Sequence, residues 1–105
     1  MSTPAVKRLN RYNISRATWR GIKLEIRHCP TWSKAAGIDH IEVVANDRQK
    51  LPITETGYRS LFIMPEYIAE KGTAHDYVMA WLDHEAKSKT WRRFEKDAQQ
   101  LSLFE

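Results

Sequence analysis

Apolar and polar residues alternate along the middle of the chain. After Arg20, Ile22, Leu24 and Ile26 alternate with charged side chains, a pattern that indicates a strand with one buried face. Pro30, which cannot donate a ladder hydrogen bond, is expected to end this strand. Three further apolar segments, separated by turn residues, follow at 39–45, 51–53 and 58–64. Because the connections are short, the pattern predicts an antiparallel meander of about four strands.

The periodicity becomes helical after residue 64. Pro65 suits the first turn of a short helix, and Thr73 suits the N-cap of a longer one. Two apolar stripes that are out of phase with each other follow, the first at Val78, Trp81 and Leu82 and the second at Trp91, Phe94 and Ala98. We therefore expect a break near residues 88–90 and a final helix that ends near Gln99. The predicted fold class is α+β, with the C-terminal helices packed on one face of the meander.

Composition limits the class of protein. A chain of 105 residues that is 42% hydrophobic and contains four tryptophans can form one domain with a modest core. The single cysteine, Cys29, cannot form an internal disulfide and fits a reducing compartment. No apolar run is long enough to span a membrane, and residues 1–10 lack the apolar stretch of a signal peptide. A soluble cytoplasmic protein that does not bind membranes is expected.

The net charge of +4 is unevenly distributed. Residues 1–24 contain six basic residues and no acidic one, whereas the remainder carries eleven basic and thirteen acidic residues. Together with the lack of sustained periodicity, this predicts a flexible basic N-terminal arm over residues 1–17. Such an arm can contact phosphates or remain a solvated leader. The residues proposed for nucleic-acid binding, which are interleaved with Tyr12 and Trp19, are Lys7, Arg8, Arg11, Arg16 and Arg20.

The side chains that most often carry catalysis do not form a complete motif. The four histidines are His28, His40, His75 and His84. The segment Asp83-His84-Glu85 lacks the second histidine of a zinc-protease motif, and the four glycines are isolated rather than grouped in a phosphate-binding loop. We therefore predict no metal, no cofactor and no enzymatic activity.

The C-terminal segment carries a more specific signal. Its residues Gln100, Leu101, Ser102, Leu103 and Phe104 spell QLSLF. This segment resembles the pentapeptide with which bacterial replication and repair proteins dock on the sliding clamp. The resemblance implies that Leu103 and Phe104 enter a hydrophobic cleft, that Leu101 packs beside them, and that Gln100 hydrogen-bonds at a second subsite.

A packed tail explains the same apolar residues. Trp91, Phe94, Ala98 and Leu101 fall at helical spacing, so Leu101 can instead be the last core residue of the final helix, with Leu103 and Phe104 folded back on the domain. The identity of Gln100 and the order Leu-Phe are not required by packing, however. We therefore favour docking.

A second resemblance concerns residues 51–60, LPITETGYRS. This segment is similar to one in small uncharacterised proteins carried by bacterial plasmids and phages. The resemblance implies an origin on a mobile element and supplies no activity.

These observations predict three regions: the arm at 1–17, one α+β domain at 18–99 and a docking tail at 100–105. The expected function is non-enzymatic binding of the sliding clamp, as an adaptor or an inhibitor of DNA replication. The first alternative is a protein that binds DNA or RNA through the basic arm. The others are a homodimer with an exchanged tail, or an enzyme whose cleft would combine at least two of His40, His75, Asp83, His84 and Glu85.

Overall fold

The computed structural model describes residues 6–103. Its sheet has five strands in the order of the chain, and every neighbouring pair is antiparallel. The strands are β1 (Val6–Leu9), β2 (Tyr12–Trp19), β3 (Ile22–Ser33), β4 (Ile38–Ala45) and β5 (Tyr58–Ile63). The helices are α1 (Pro65–Lys71), α2 (Ala74–Glu85) and α3 (Lys89–Leu103), and a short 3₁₀ turn spans Asn46–Arg48. The α+β meander is therefore confirmed, with one strand more than expected.

Alternation identified the central strands correctly. Leu24 pairs with Ala45 and Ile26 pairs with Val43 across β3 and β4, and all four side chains are buried. Strand β3 continues past Pro30 to Ser33, so the expected end at this proline was wrong. The β3–β4 register shifts between Cys29 and Ser33. A proline is tolerated at such an irregularity because no regular ladder hydrogen bond is needed there.

The N-terminal segment is not a flexible arm from residue 6 onward. Strands β1 and β2 form a hairpin, and β2 pairs with β3 from Asn13 to Trp19. Its inward positions include Ser15, Ala17 and Trp19, of which Trp19 is 3% exposed and belongs to the core. Two of these three residues are small or polar, which explains why no apolar alternation marks this strand in the sequence. The first five residues of the predicted arm lie outside the described residues.

The segment around Pro52 is not a strand. Leu51 and Ile53 are buried as predicted, but their backbone makes only an isolated bridge between Leu51 and Thr54. Strand β5 pairs directly with β4 instead, and its inward positions are Leu61 and Ile63, whereas Phe62 lies on the opposite face. Proline in the middle of the segment disfavours a ladder, although the flanking side chains still fill the core.

The helices begin largely where their caps predict. The Thr73 hydroxyl accepts a hydrogen bond from the Asp76 backbone N–H at 3.2 Å, and the Asp76 carboxylate accepts one from the Thr73 N–H at 3.0 Å, which is a capping box. The expected break occurs between α2 and α3, where the Ser88 hydroxyl accepts from the Trp91 N–H at 3.1 Å. Helix α3 then runs to Leu103, so its predicted end near Gln99 was wrong.

One face of the sheet is covered by the helices. Val78 and Leu82 of α2 are fully buried among the inward residues of β3 and β4. The Trp19 and Trp91 rings lie 5.7 Å apart, and the Trp19 indole N–H donates to the Asp83 carboxylate at 2.9 Å. Within residues 6–103, no helix is both long and apolar enough to cross a membrane.

The other face of the sheet points away from the helices, because successive side chains of a strand alternate in direction. We call it the open face. The register places these positions on it: Tyr12, Ile14, Arg16, Thr18, Lys23, Glu25, Arg27, His40, Glu42, Val44, Tyr58, Ser60 and Phe62.

The capping box gives a prediction for pH. Hydrogen bonds from the backbone and the hydroxyl of Thr73 lower the pKa of Asp76 below its ordinary value of 3.8. The carboxylate therefore stabilises the fold above that value, and this contribution is lost as the pH falls through the lowered pKa. Asp76→Ala should lower the urea midpoint at pH 6 and have a smaller effect at about pH 2.5. An equal decrease of the urea midpoint at both pH values would show that the charge of Asp76 is not involved.

Candidate functional site

The residues of the docking motif lie at the end of α3. Gln100, Leu101, Ser102 and Leu103 form its last turn rather than the extended segment expected, and Phe104 lies outside the described residues. Leu101 is 68% exposed, so it is not the last core residue of the helix. Among the residues of α3 whose burial is described, 89–101, only Trp91 is buried. The distal part of the helix therefore stands clear of the domain.

The start of α3 is attached more firmly. Trp91 is 3% exposed, and the centre of its ring lies 5.0 Å from the centre of the Phe94 ring. Arg20, in the turn between β2 and β3, donates to the Glu95 carboxylate at 2.8 Å. These contacts hold the first two turns of the helix and leave the turn containing Leu101 accessible to a partner.

The structure describes the side chains of three of the five basic residues proposed for nucleic-acid binding, and these three lie in different surroundings. Lys7 and Arg8 belong to β1. Arg11 donates to the carbonyl oxygens of Thr31 and Trp32 at 3.0 and 2.8 Å. Arg20 bonds Glu95, and its guanidinium lies 4.8 Å from the centre of the Trp19 ring.

Arg16 differs from these residues because its side chain is 87% exposed. It lies 4.0 Å from Glu25. Strand β2 separates Arg11 from Arg20. Of the three arginines whose side chains are described, Arg11, Arg16 and Arg20, Arg16 on the open face is the one whose charge is most available.

An aromatic cluster occupies one end of the open face. The Phe62 ring centre lies 4.7 Å from Trp32 and 4.6 Å from His40, with the His40 and Phe62 rings stacked. Tyr12 meets His40 edge to face at 5.8 Å. Trp32 is 40% exposed and Phe62 is 52% exposed, which is high for large apolar side chains. The cluster therefore presents two aromatic rings to solvent.

Hydrogen bonds hold the cluster in place. The Nδ1 atom of His40 shares a hydrogen bond of 2.8 Å with the Tyr12 hydroxyl, and its Nε2 atom shares one of 2.6 Å with the Ser60 hydroxyl. Since both ring nitrogens are occupied, the imidazole on which Phe62 stacks has a fixed orientation. Arg11, through its bonds to the carbonyl groups of residues 31 and 32, similarly fixes the backbone that carries Trp32.

Cations surround the other end of the open face. A shallow depression of about 670 Å³ lies there, and its charged lining residues are Arg16, Lys23, Arg27, Arg48, Glu25 and Asp47. Arg27 donates to the Glu25 carboxylate at 2.7 Å, so Glu25 is shared between Arg27 and Arg16. Arg48 lies over the Tyr58 ring at 5.6 Å. Positive groups outnumber negative groups in this depression by four to two.

Three titratable groups of the open face have raised pKa values. The hydrogen bond to Glu42 and burial raise the pKa of Tyr58 above its ordinary value of 10.0. Burial and the charge of Glu42 raise the pKa of Tyr12 in the same direction. The hydrogen bond to Glu25 raises the pKa of Arg27. At neutral pH both phenols are therefore protonated donors and Arg27 is a cation.

The residues considered for catalysis are divided between the two faces. His40 lies on the open face, whereas His75, Asp83, His84 and Glu85 belong to α2, which packs on the opposite face. Asp83 accepts the bond from Trp19. Among residues 6–103, no group of three or more histidine, cysteine, aspartate or glutamate side chains is arranged to hold a metal ion.

The sequence did not identify the aromatic cluster. Its members come from β2, the end of β3, β4 and β5. The available signal was the polar or aromatic character of the outward positions at His40, Ser60 and Phe62. Only the strand register shows that these positions meet.

Residues 12–91 match a protein-family model described as the KlcB third domain. No curated protein matches the chain. No solved structure matches it either.

Proposed function

The chain belongs to the KlcB third-domain family, and we propose that it is a non-enzymatic binding domain that docks on the bacterial sliding clamp through Gln100–Phe104. The observation that carries this proposal is the 68% exposure of Leu101 near the end of α3. Among residues 89–101 of this helix, Trp91 is the one that is buried in the core. Through α3, Leu101 is connected to the domain and its side chain is exposed to solvent, which supports docking.

Docking as an extended peptide requires the last turn of α3 to unwind. Propagation of a helix is nearly neutral per residue, so opening four terminal residues costs about 1 kcal/mol at most. Burial of each apolar side chain of the motif contributes about 1.5–3 kcal/mol. Ordering the peptide opposes binding by about 1–2 kcal/mol per residue. Because the favourable and opposing contributions are similar in size, we expect weak and reversible docking, with a dissociation constant on the order of micromolar.

The proposal has consequences for the role of the protein. Clients of the clamp that carry this motif share one cleft, so an occupied cleft either recruits this domain to replicating DNA or excludes a polymerase. A mobile element, which the resemblance of residues 51–60 implies, benefits from either outcome. A cytoplasmic location is part of the proposal, and the buried free thiol of Cys29 is compatible with a reducing compartment.

The test is direct binding to a purified bacterial sliding clamp, measured by calorimetry. Leu103→Ala combined with Phe104→Ala should weaken binding by about 100-fold or more, because two apolar contacts are removed. Phe94→Ala is the matched control, since it removes a partly exposed aromatic of α3 that lies outside the motif. It should bind like the wild type.

A second variant distinguishes the motif from general hydrophobicity. Leu103→Phe combined with Phe104→Leu keeps composition and reverses the order. If clamp binding requires the motif, this variant should lose affinity nearly as strongly as the double alanine variant. Equal binding by all variants, or no binding by the wild type, would exclude docking through this segment.

A further inference from the structure

We propose that the open face binds single-stranded nucleic acid, with bases stacked on Trp32 and Phe62 and the phosphate backbone crossing the cations at the other end of the face. This site is separate from the α3 tail. It also differs from a flexible basic arm, because its residues are held by strands β2, β3, β4 and β5 and by the Asn46–Arg48 turn.

The aromatic end exposes two neighbouring rings, Trp32 and Phe62, whose planes are tilted by 59° to each other, so each can stack on a separate unpaired base. Trp32 and Phe62 are 40% and 52% exposed, and their ring centres are 4.7 Å apart. Behind them, His40 is fixed by hydrogen bonds to Tyr12 and Ser60. A platform that is ordered before binding loses little side-chain entropy when a base stacks on it. Aromatic rings exposed on a sheet are a recurrent means of holding unpaired bases.

The charges of the other end match a phosphate backbone. Arg16, Lys23, Arg27 and Arg48 line the depression, where Glu25 and Asp47 are the acidic residues. The 87% exposure of the Arg16 side chain leaves its guanidinium accessible to a phosphate. An apolar protein partner would leave this cationic half of the face unmatched, whereas a polyanion that also carries flat rings uses both halves.

The distance between the two ends suits a short single strand. His40 pairs with Cys29, and Lys23 lies six residues away along β3. At about 3.3 Å per residue this separation is about 20 Å. Sheet-based modules that bind single strands cover about four nucleotides or more. Between the ends, Ser60 and the carboxylate of Glu42 offer polar groups to base edges.

A duplex does not fit this face in the same way. Its bases are stacked on one another, so their flat surfaces are not available to Trp32 and Phe62. The proposal therefore predicts a preference for single strands over duplex. RNA and DNA share the required chemistry, and the experiment distinguishes them.

The experiment uses the full chain and fluorescein-labelled probes of about 12 nucleotides, long enough for the site size of a sheet-based module. The probes are oligo(U), oligo(dT) and a mixed duplex, with anisotropy as the readout. Trp32→Ala combined with Phe62→Ala should weaken single-strand binding by about 30-fold or more, since each stacked base contributes roughly 5- to 150-fold. Tyr67→Ala is the matched control, because it removes a similarly exposed aromatic from α1. Its affinity should equal that of the wild type.

Salt dependence tests the charged end separately. Arg16→Ala should reduce the steepness of the plot of the logarithm of the association constant against the logarithm of the salt concentration. The expected reduction in slope is about 0.7, the value for one phosphate contact with a single strand. Circular dichroism and urea midpoints establish that each variant is folded. The Leu103→Ala, Phe104→Ala variant should keep its oligonucleotide affinity, so that failure of clamp docking and failure of this proposal are separable.

Four results would overturn the proposal. The first is wild-type affinity in the Trp32→Ala, Phe62→Ala variant. The second is absence of single-strand binding, and the third is binding of duplex as tight as that of the single strands. The fourth is a concentration-dependent dimer in gel filtration that the same variant abolishes, which would identify the open face as a contact between copies of this chain.

Discussion

Gly57→Ala is expected to destabilise the domain by about 2–4 kcal/mol, the sum of a conformational cost and a steric one. Gly57 has a φ of +78°, and a Cβ atom there would lie 2.5 Å from the carbonyl carbon of Arg48. The left-handed conformation costs a non-glycine residue roughly 1–2 kcal/mol, and the overlap adds to this because its partner is backbone rather than a flexible side chain. The Gly57 carbonyl also accepts from the Ala45 N–H at 2.8 Å, so the segment cannot move away without losing a contact to β4.

Gly21→Ala separates these two contributions. Gly21 has a φ of +81°, and a Cβ atom added there would meet no heavy atom within 4 Å beyond its chain neighbours, so only the conformational cost applies. That cost is about 1–2 kcal/mol. Urea unfolding of both variants measures the difference. If Gly57→Ala costs no more than Gly21→Ala, the approach of Arg48 to Gly57 is looser than the structure indicates.

These two glycines also show which turns the sequence could predict. Arg20 and Gly21 both have positive φ between the paired residues Trp19 and Ile22, which is typical of a type I′ hairpin turn. The sequence was instead interpreted as a strand beginning at Arg20. An X-Gly pair predicts such a turn only when a strand precedes it, and β2 lacked a recognisable apolar pattern.

Elements with a one-sided apolar pattern were predictable. Strands β3 and β4 and helix α2 each show a regular series of apolar residues on one side, and each was found. Strand β2 was missed because Ser15 and Ala17 occupy inward positions next to the edge hairpin, where little volume must be filled. The extension of α3 to Leu103 was missed because exposed residues impose no periodicity that marks an end.

The two candidate sites also differ in how far the sequence alone could reveal them. The docking motif is contiguous, so a resemblance could reveal it without any knowledge of the fold. The open-face cluster joins residues from Tyr12 to Phe62, and it depends on the register of four strands. Outward residues such as His40 and Phe62 are indistinguishable in sequence from ordinary solvated positions until that register is known.

The anchoring of α3 gives the second large effect. Trp91→Ala should destabilise the domain by about 3–5 kcal/mol, because a buried tryptophan that packs against Trp19 is replaced by a cavity. In the described part of the chain the Trp91 indole N–H has no hydrogen-bond partner. Trp91→Phe should therefore lose much less stability, since it keeps an aromatic ring and removes no hydrogen bond. Urea midpoints compare the two variants.

Leu101→Ala completes this comparison. Its effect on stability should stay within about 0.5 kcal/mol, as for other exposed positions. Should Leu101→Ala prove as costly as a core substitution, the end of α3 packs on the domain and docking loses its basis. The proposed function requires both results. A helix anchored at Trp91 carries the motif, and a last turn in which Leu101 is exposed can unwind into a partner without unfolding the domain.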